Sequence, residues 1–392
     1  LCPRWDTKTD LMQIISKRVF ILLLLFISSY GAHAQESVYT FPFHLESSLL
    51  VFEGKMNGVP TKFAFDTGAA MGMANSLSEP SGKLKVKGKK ITLRDSNNQL
   101  QKVPTGLTKE LEIGGVKIEK VRSLVNDMDF LFCMDFFLLG QDVIKQLNWE
   151  IDFEKMQIRV SKAPFPTNPT WKKLPIQYKG GRPHITLSFE NLTLPDALVD
   201  FGYVRVMDFP DHLPEIQTFL SLKDSLGLSN PNISTSMGAV SQSTYPTRSI
   251  WVDSLQLGDE IFPRVPIDFE ESSYPKIGVG FFETFSTKTI LNHSEMAYYL
   301  ELRTKPEFEE ITHIGVMYED GKLILNSKPQ GLTPQDAMIE VGEEIKSING
   351  FSAADFDGIC SYFKWSVSQK SNPVELVKMD GTKLVFQKIP LK

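Results

Sequence analysis

The feature that most constrains this chain is an apolar strand running straight into an acidic turn. Phe63-Ala64-Phe65 leads into Asp66-Thr67-Gly68, and the small pair Ala69-Ala70 follows. Alone, such a triplet is an ordinary Asp-led turn, in which the carboxylate accepts backbone N–H bonds and glycine supplies a positive φ. Its surroundings, however, recur later in the chain. Val199-Asp200-Phe201-Gly202 echoes Phe65-Asp66-Thr67-Gly68, Leu255-Gln256-Leu257-Gly258 echoes Leu111-Glu112-Ile113-Gly114, and Gly278-Val279-Gly280 echoes Leu138-Leu139-Gly140, at offsets of 134, 144 and 140 residues. Past Gly140 and Gly280 the register continues without gaps, with Asp152 opposite Asn292, Met156 opposite Met296 and Val160 opposite Leu300. Landmarks in the same order at nearly constant spacing predict a duplicated lobe.

Each lobe reads as β. Short apolar runs broken by Gly, Pro, Asn and Asp predict strands at Leu49–Phe52, Thr61–Phe65, Ile91–Arg94 and Ile118–Val125, with turns at Asn57-Gly58 and Ser96-Asn97-Asn98. A short helix is expected over Gln141–Leu147, then a strand Trp149–Phe153 and its hairpin partner Gln157–Val160. Three prolines within residues 163–169 mark a linker, since they sustain neither ladder nor helix. The expected division is residues 1–34 as upstream sequence and signal peptide, a first lobe over 36–163, a second over 170–303 and a small α+β domain over 304–392.

The strand entering Asp66-Thr67-Gly68, with Leu138-Leu139-Gly140 about 70 residues later, resembles the aspartic peptidases of the pepsin and retropepsin kind. That resemblance implies a mainly β fold of duplicated acid-protease lobes, with the Asp-Thr-Gly loop on a ψ-shaped crossing of strands through which Leu138-Leu139-Gly140 threads. It implies Asp66 and Asp200 as a catalytic pair, carried on loops formed by Thr67, Gly68 and Ala69 and by Phe201 and Gly202. Two carboxylates that close cannot both stay charged, so one acts as base toward a water and the other as acid. Such a pair titrates as a unit, and the sequence leaves open which member holds the proton. Phe201 departs from the family pattern, which has Thr or Ser there and uses its hydroxyl to brace the loops. It either crowds the loop or removes one hydrogen-bonded brace. A closing hairpin is expected over Ile91–Val103, with Gly238–Tyr245 as its counterpart.

The last 80 or so residues change texture. Ile314-Gly315-Val316, a strand Leu323–Asn326, a helical Thr333–Met338, Val341-Gly342-Glu343-Glu344-Ile345 and Ile348-Asn349-Gly350 resemble a PDZ domain. The resemblance implies that a peptide adds as an extra strand, its terminal carboxylate held by backbone N–H groups at Ile314, Gly315 and Val316. Glu343 stands where Asp is usual.

Composition narrows the partners. Lys and Arg (42) are outnumbered by Asp and Glu (47) and are scattered, which gives no footprint for nucleic acid. Lys17-Arg18, the apolar run Val19–Ile27 and Ala32-His33-Ala34 have the order of a secretory signal peptide, with cleavage expected after Ala34 and a periplasmic or extracellular product. That run falls short of a membrane span. Of three cysteines, Cys133 and Cys360 lie past this leader and are free to form one disulfide. The six histidines, His184 and His212 among them, form no cluster, so no metal or other cofactor is expected. Three readings stay open: a peptidase acting on peptides or unfolded proteins, an inactive peptide-binding relative, and a homodimer in which Asp66 faces its own copy.

Overall fold

The computed structural model describes residues 37–46, 48–126, 133, 135–271, 274–306, 308, 314–331, 333–369 and 373–387. The expected signal peptide lies outside the described residues. The described residues from Val38 onward form one compact, mainly β unit. Among the described residues no helix is long and apolar enough to cross a membrane.

The first part runs β1 (Tyr39–Glu46), β2 (Leu49–Met56), β3 (Val59–Phe65), β4 (Met73–Asn75), β5 (Lys85–Arg94), β6 (Leu100–Ile113), β7 (Val116–Asn126), β8 (Phe136–Leu139), helix α1 (Gln141–Ile144), β9 (Asn148–Asp152) and β10 (Gln157–Ser161). After the proline-rich stretch come β11 (Lys172–Pro175), β12 (Gln177–Lys179), β13 (Arg182–Phe189), β14 (Leu192–Asp200), β15 (Met207–Pro210), helix α2 (Pro214–Ser225), β16 (Ser229–Met237), β17 (Gln242–Leu257), β18 (Glu260–Glu270), β19 (Lys276–Gly278), helix α3 (Val279–Phe285), β20 (Ser286–Asn292) and β21 (Ala297–Leu302). The chain ends with β22 (Gly315–Glu319), β23 (Lys322–Pro329), β24 (Glu344–Ile348), helix α4 (Ile359–Ser368), β25 (Val374–Lys378) and β26 (Lys383–Phe386).

The same crossing is built twice. In the first part β8 lies parallel to β3 and antiparallel to β4, and β4 is parallel to β7. In the second, β19 lies parallel to β14 and antiparallel to β15, and β15 is parallel to β18. The hairpin landmarks agree, because Gly114 and Gly258 both turn the chain at φ +58°, a conformation that glycine adopts without cost. Met156 and Met296 likewise both take positive φ, at 52° and 49°, between paired strands.

One landmark moves. Phe65 pairs with Leu139, whereas Val199 pairs with Ile277 and Asp200 with Gly278. The threading segment of the second part is therefore Lys276-Ile277-Gly278, not Gly278-Val279-Gly280. Gly140 and Gly278 each precede a helix in the same extended conformation, φ −91° and −88°. Although α1 has four residues and α3 seven, the strands that follow both start eight residues past their glycine, at Asn148 and Ser286; the two-residue drift arises in β20, seven residues long against five in β9, with a register shift between Ser286 and Lys288. The helix expected over Gln141–Leu147 is correspondingly shorter, and Thr333–Met338 is a single 3-10 stretch, Pro334–Met338, closed by a capping box from Thr333.

Strand pairing between β9 and β20 joins the two parts, with Trp149 opposite Leu291 and Ile151 opposite Thr289. A continuous apolar core runs through both and includes Phe52, Phe65, Trp149, Phe201, Phe282 and Tyr298. The proline-rich connection is pinned by Asn292, whose side chain accepts from the Phe165 N–H and donates to the Phe165 carbonyl, both at 2.9 Å. The C-terminal segment has its own small core around Leu325, Leu376 and Phe386. Among its ties to the rest, β23 pairs with β16, Phe363 packs against Leu49, Val51 and Phe136, and a disulfide links Cys133 to Cys360 in α4.

Candidate active site

Asp66 and Asp200 sit at the ends of equivalent strands, β3 and β14, whose apolar residues Phe63, Phe65, Leu198 and Val199 are buried. Burial fixes both strands, so the turn after each is held by its own backbone. The Asp66 N–H donates to the Leu139 carbonyl at 3.0 Å, and the N–H groups of Gly68 and Ala69 donate to Asp66 Oδ1 at 2.8 and 2.9 Å. In the second loop the Gly202 N–H donates to Asp200 Oδ1 at 2.9 Å, while the Tyr203 N–H goes to the backbone carbonyl of Asp200.

The loops interlock. A Cβ placed on Gly68 would overlap the Asp200 carboxylate, and one placed on Gly202 would overlap that of Asp66. Each glycine thus makes room for the opposite acid, which brings the two carboxyl groups together at one site in a single chain. Both aspartates are half-buried, enclosed by protein but still open to water. Burial, reinforced by the charge of Asp200, holds the Asp66 carboxyl well above the usual carboxylate range. Burial raises Asp200 above its ordinary value too, against the opposing pulls of Lys276, the Gly202 N–H, the hydrogen bond with Asp66 and Arg182. Such a pair holds one proton over a range of pH in which isolated carboxylates hold none.

Thr67 braces the loops from one side only. Its fully buried hydroxyl donates to the Val199 carbonyl at 2.7 Å and accepts from the Phe201 N–H at 3.0 Å. Phe201 does not crowd its loop. Its fully buried ring turns into the core, with centroids 5.6 Å from Phe65, 4.7 Å from Phe282 and 6.2 Å from Tyr298. The missing hydroxyl is therefore replaced by aromatic packing, and the Gly202 bond to Asp200 survives.

The expected closing hairpins, β5–β6 and β16–β17, meet tip to tip. Asp95 Oδ2 accepts from the Ser241 hydroxyl at 2.6 Å and the Val240 N–H at 3.3 Å, and the Asn97 side-chain amide donates to the Ser236 and Ser241 carbonyls. Ala239 and Val240 pack against an apolar cluster containing Met73, Val103 and Leu124. A polar cavity of about 450 Å³ lies beside the joined tips, bounded by Asn97, Gln99, Tyr245, Glu271 and His212, a residue to which the sequence assigned no role.

Ile314, Gly315 and Val316 lie at the start of β22, far along the chain from the acidic loops. Among the described residues the edge of β22 away from β23 pairs with no strand, and the Val316 carbonyl accepts from the Tyr362 hydroxyl of α4 at 2.5 Å. Residues 309–313, which lead into this edge, lie outside the described residues.

Sequence reasoning missed Lys276. It is 2 % exposed, stands in β19 opposite Leu198, and occupies the place that Leu138 holds in the first part. The signal was a lysine before Ile277-Gly278, masked by the two-residue misplacement of the threading segment. Among the described residues no group of three or more His, Cys, Asp or Glu side chains is placed to hold a metal ion. No curated protein matches the chain. Residues 52–146, from β2 through the Asp66 loop and the threading strand to α1, match the family model described as "gag-polyprotein putative aspartyl protease", which makes this segment aspartyl protease-like.

Proposed function

We propose that the protein is an exported aspartic endopeptidase in which Asp66 and Asp200 form an intramolecular dyad. The observation that carries this reading is the reciprocal seating of each carboxylate against the other loop's glycine. With one proton between them, the charged member takes a proton from a water as that water attacks the peptide carbonyl. The protonated member hydrogen-bonds the carbonyl oxygen as negative charge develops there, and the proton gained from water then passes to the leaving amine. The half-buried position of both aspartates leaves space for that water. No step calls on a cofactor.

Export is supported by the signal-like leader and by the Cys133–Cys360 disulfide, a bond that persists in oxidising compartments. The C-terminal segment is read as a PDZ-like module that recruits peptide or unfolded substrate along the edge of β22 away from β23, beyond the Val316 carbonyl that Tyr362 occupies. One observation favours the second reading, a binding protein without catalysis: the hairpin tips are hydrogen-bonded shut, and substrate must part them.

The test is hydrolysis of an unfolded protein across a pH series by wild type, Asp66→Ala and Asp200→Ala. Cleavage by wild type with loss in both variants is the expected result. Peptide binding without cleavage at any pH would establish the second reading. Retained activity in Asp200→Ala would move the dyad between chains.

A further inference from the structure

Behind the Asp200 loop lies a buried polar cluster that the dyad chemistry has not used. Lys276 pairs with Asp208, Nζ to Oδ2 at 2.7 Å, with side chains only 3 % and 0 % exposed. Its ammonium also lies 4.8 Å from the centre of the Tyr203 ring. Glu270 of β18 completes the cluster, is 4 % exposed, and accepts from the Tyr245 hydroxyl at 3.1 Å. Further out, Arg205 is paired with Asp268 at 3.2 Å, and Arg182 donates to the Tyr274 hydroxyl at 3.2 Å.

A buried lysine is costly unless it serves anions on its own side. The charges of Asp208, Glu270 and Asp200 all favour its protonated form. The geometry explains the third. In β14 and β19 Leu198 is opposite Lys276 and Asp200 is opposite Gly278, so Lys276 and Asp200 are two residues apart along adjacent parallel strands, where side chains fall on the same face of the sheet. The equivalent position beside Asp66 is Leu138, which brings no charge. Across the two halves of the site the cation is thus on one side only.

We propose that Lys276 is a positioning residue that sets the direction of the shared proton, holding Asp200 as the anion and leaving the proton on Asp66. On the dyad reading above, on which the mechanistic part rests, Asp200 is then the base toward water and Asp66 the acid toward the substrate carbonyl. The water O–H bond breaks as its proton moves to Asp200 and its oxygen bonds to the carbonyl carbon. Asp66 donates to the carbonyl oxygen, and no redox partner is involved. The raised position of Asp66 and the counter-pull of Lys276 on Asp200 agree with this direction.

The experiment follows the side-chain carboxyl carbons of Asp66 and Asp200 by ¹³C NMR through a pH titration of the intact protein, in wild type, Lys276→Met and Lys276→Arg. Wild type should lose its first dyad proton at Asp200. Lys276→Met should move that step up by about one pH unit, a roughly tenfold smaller anionic fraction below it, and Lys276→Arg should restore it. The acid limb of kcat/KM for peptide hydrolysis should shift with the NMR step in the same variants. A first proton lost from Asp66 in wild type, or an unshifted step in folded Lys276→Met, overturns the assignment. Should Lys276→Met fail to fold, the wild-type order of titration alone decides. Titration in the stated order by a protein that cleaves nothing would uphold the role of Lys276 and remove the peptidase reading, so the two fail separately.

Discussion

The two acidic loops share a backbone and differ in what holds them. The first has Thr67 and Ala69, and its carboxylate takes two backbone N–H bonds; the second has Phe201 and Tyr203, and its carboxylate takes one. The first contributes the hydroxyl that ties the pair together, while the second contributes a ring to the common core. Beside the first lies Leu138, beside the second Lys276. A duplicated loop can thus keep the one feature its geometry demands, an acid facing a glycine, while its supports diverge into hydrogen bonding on one side and packing plus charge on the other.

The largest expected effect tests whether the two acids are equivalent in action. Asp66→Asn and Asp200→Asn should each lower kcat for hydrolysis of an unfolded protein by about 10²- to 10⁴-fold, because half a dyad lacks either its acid or its base. Initial rates measure this, and a loss confined to Asp66→Asn would break the equivalence.

Restoring sequence symmetry should damage the structure. Phe201→Thr removes a fully buried ring seated among Phe65, Phe282 and Tyr298, and a loss of about 3 kcal/mol is expected, near the range for emptying a buried phenylalanine site. Denaturant midpoints read this directly. An unchanged midpoint would mean that the ring had not replaced the hydroxyl.

A smaller change comes from the other side. Thr67→Val keeps the shape but strands the Val199 carbonyl and the Phe201 N–H, for a loss of about 1–3 kcal/mol in the same measurement. A loss equal to that of Phe201→Thr would show that hydrogen bonding and packing hold the loops equally.

The smallest effect is one of pH. Burial, then the charge of Asp200, raises Asp66 in the folded state. Its contribution to stability is accordingly full below the unfolded carboxyl value and is lost as pH rises through the raised folded value. Wild type and Asp66→Asn should unfold at similar urea concentrations in acid, with wild type falling behind as pH climbs. A gap that opens in the opposite direction would place the retained proton elsewhere.

Legibility followed distance along the chain. The strand into Asp66, the Gly114 and Gly258 turns and the Met156 and Met296 positions were readable because each depends on a few neighbouring residues. The register of Ile277-Gly278 was not, since two extra residues in β20 shift the count and only pairing with Val199 and Asp200 corrects it. Lys276 was lost with that register. The effect of Phe201 was also hidden, because steric crowding and quiet burial differ only in which way the ring points.

The sequence by itself determined a mainly β chain, two acids on equivalent strand ends and a change of character in the last 80 or so residues, all consequences of local backbone preference and periodic burial. Only the tertiary structure decided that Asp66 meets Asp200 of the same chain, that Cys133 joins Cys360 across 227 residues, that β16 pairs with β23, and that a lysine stands behind one acid and a leucine beside the other. Those contacts join segments remote in sequence, and which of them form depends on how the whole core packs.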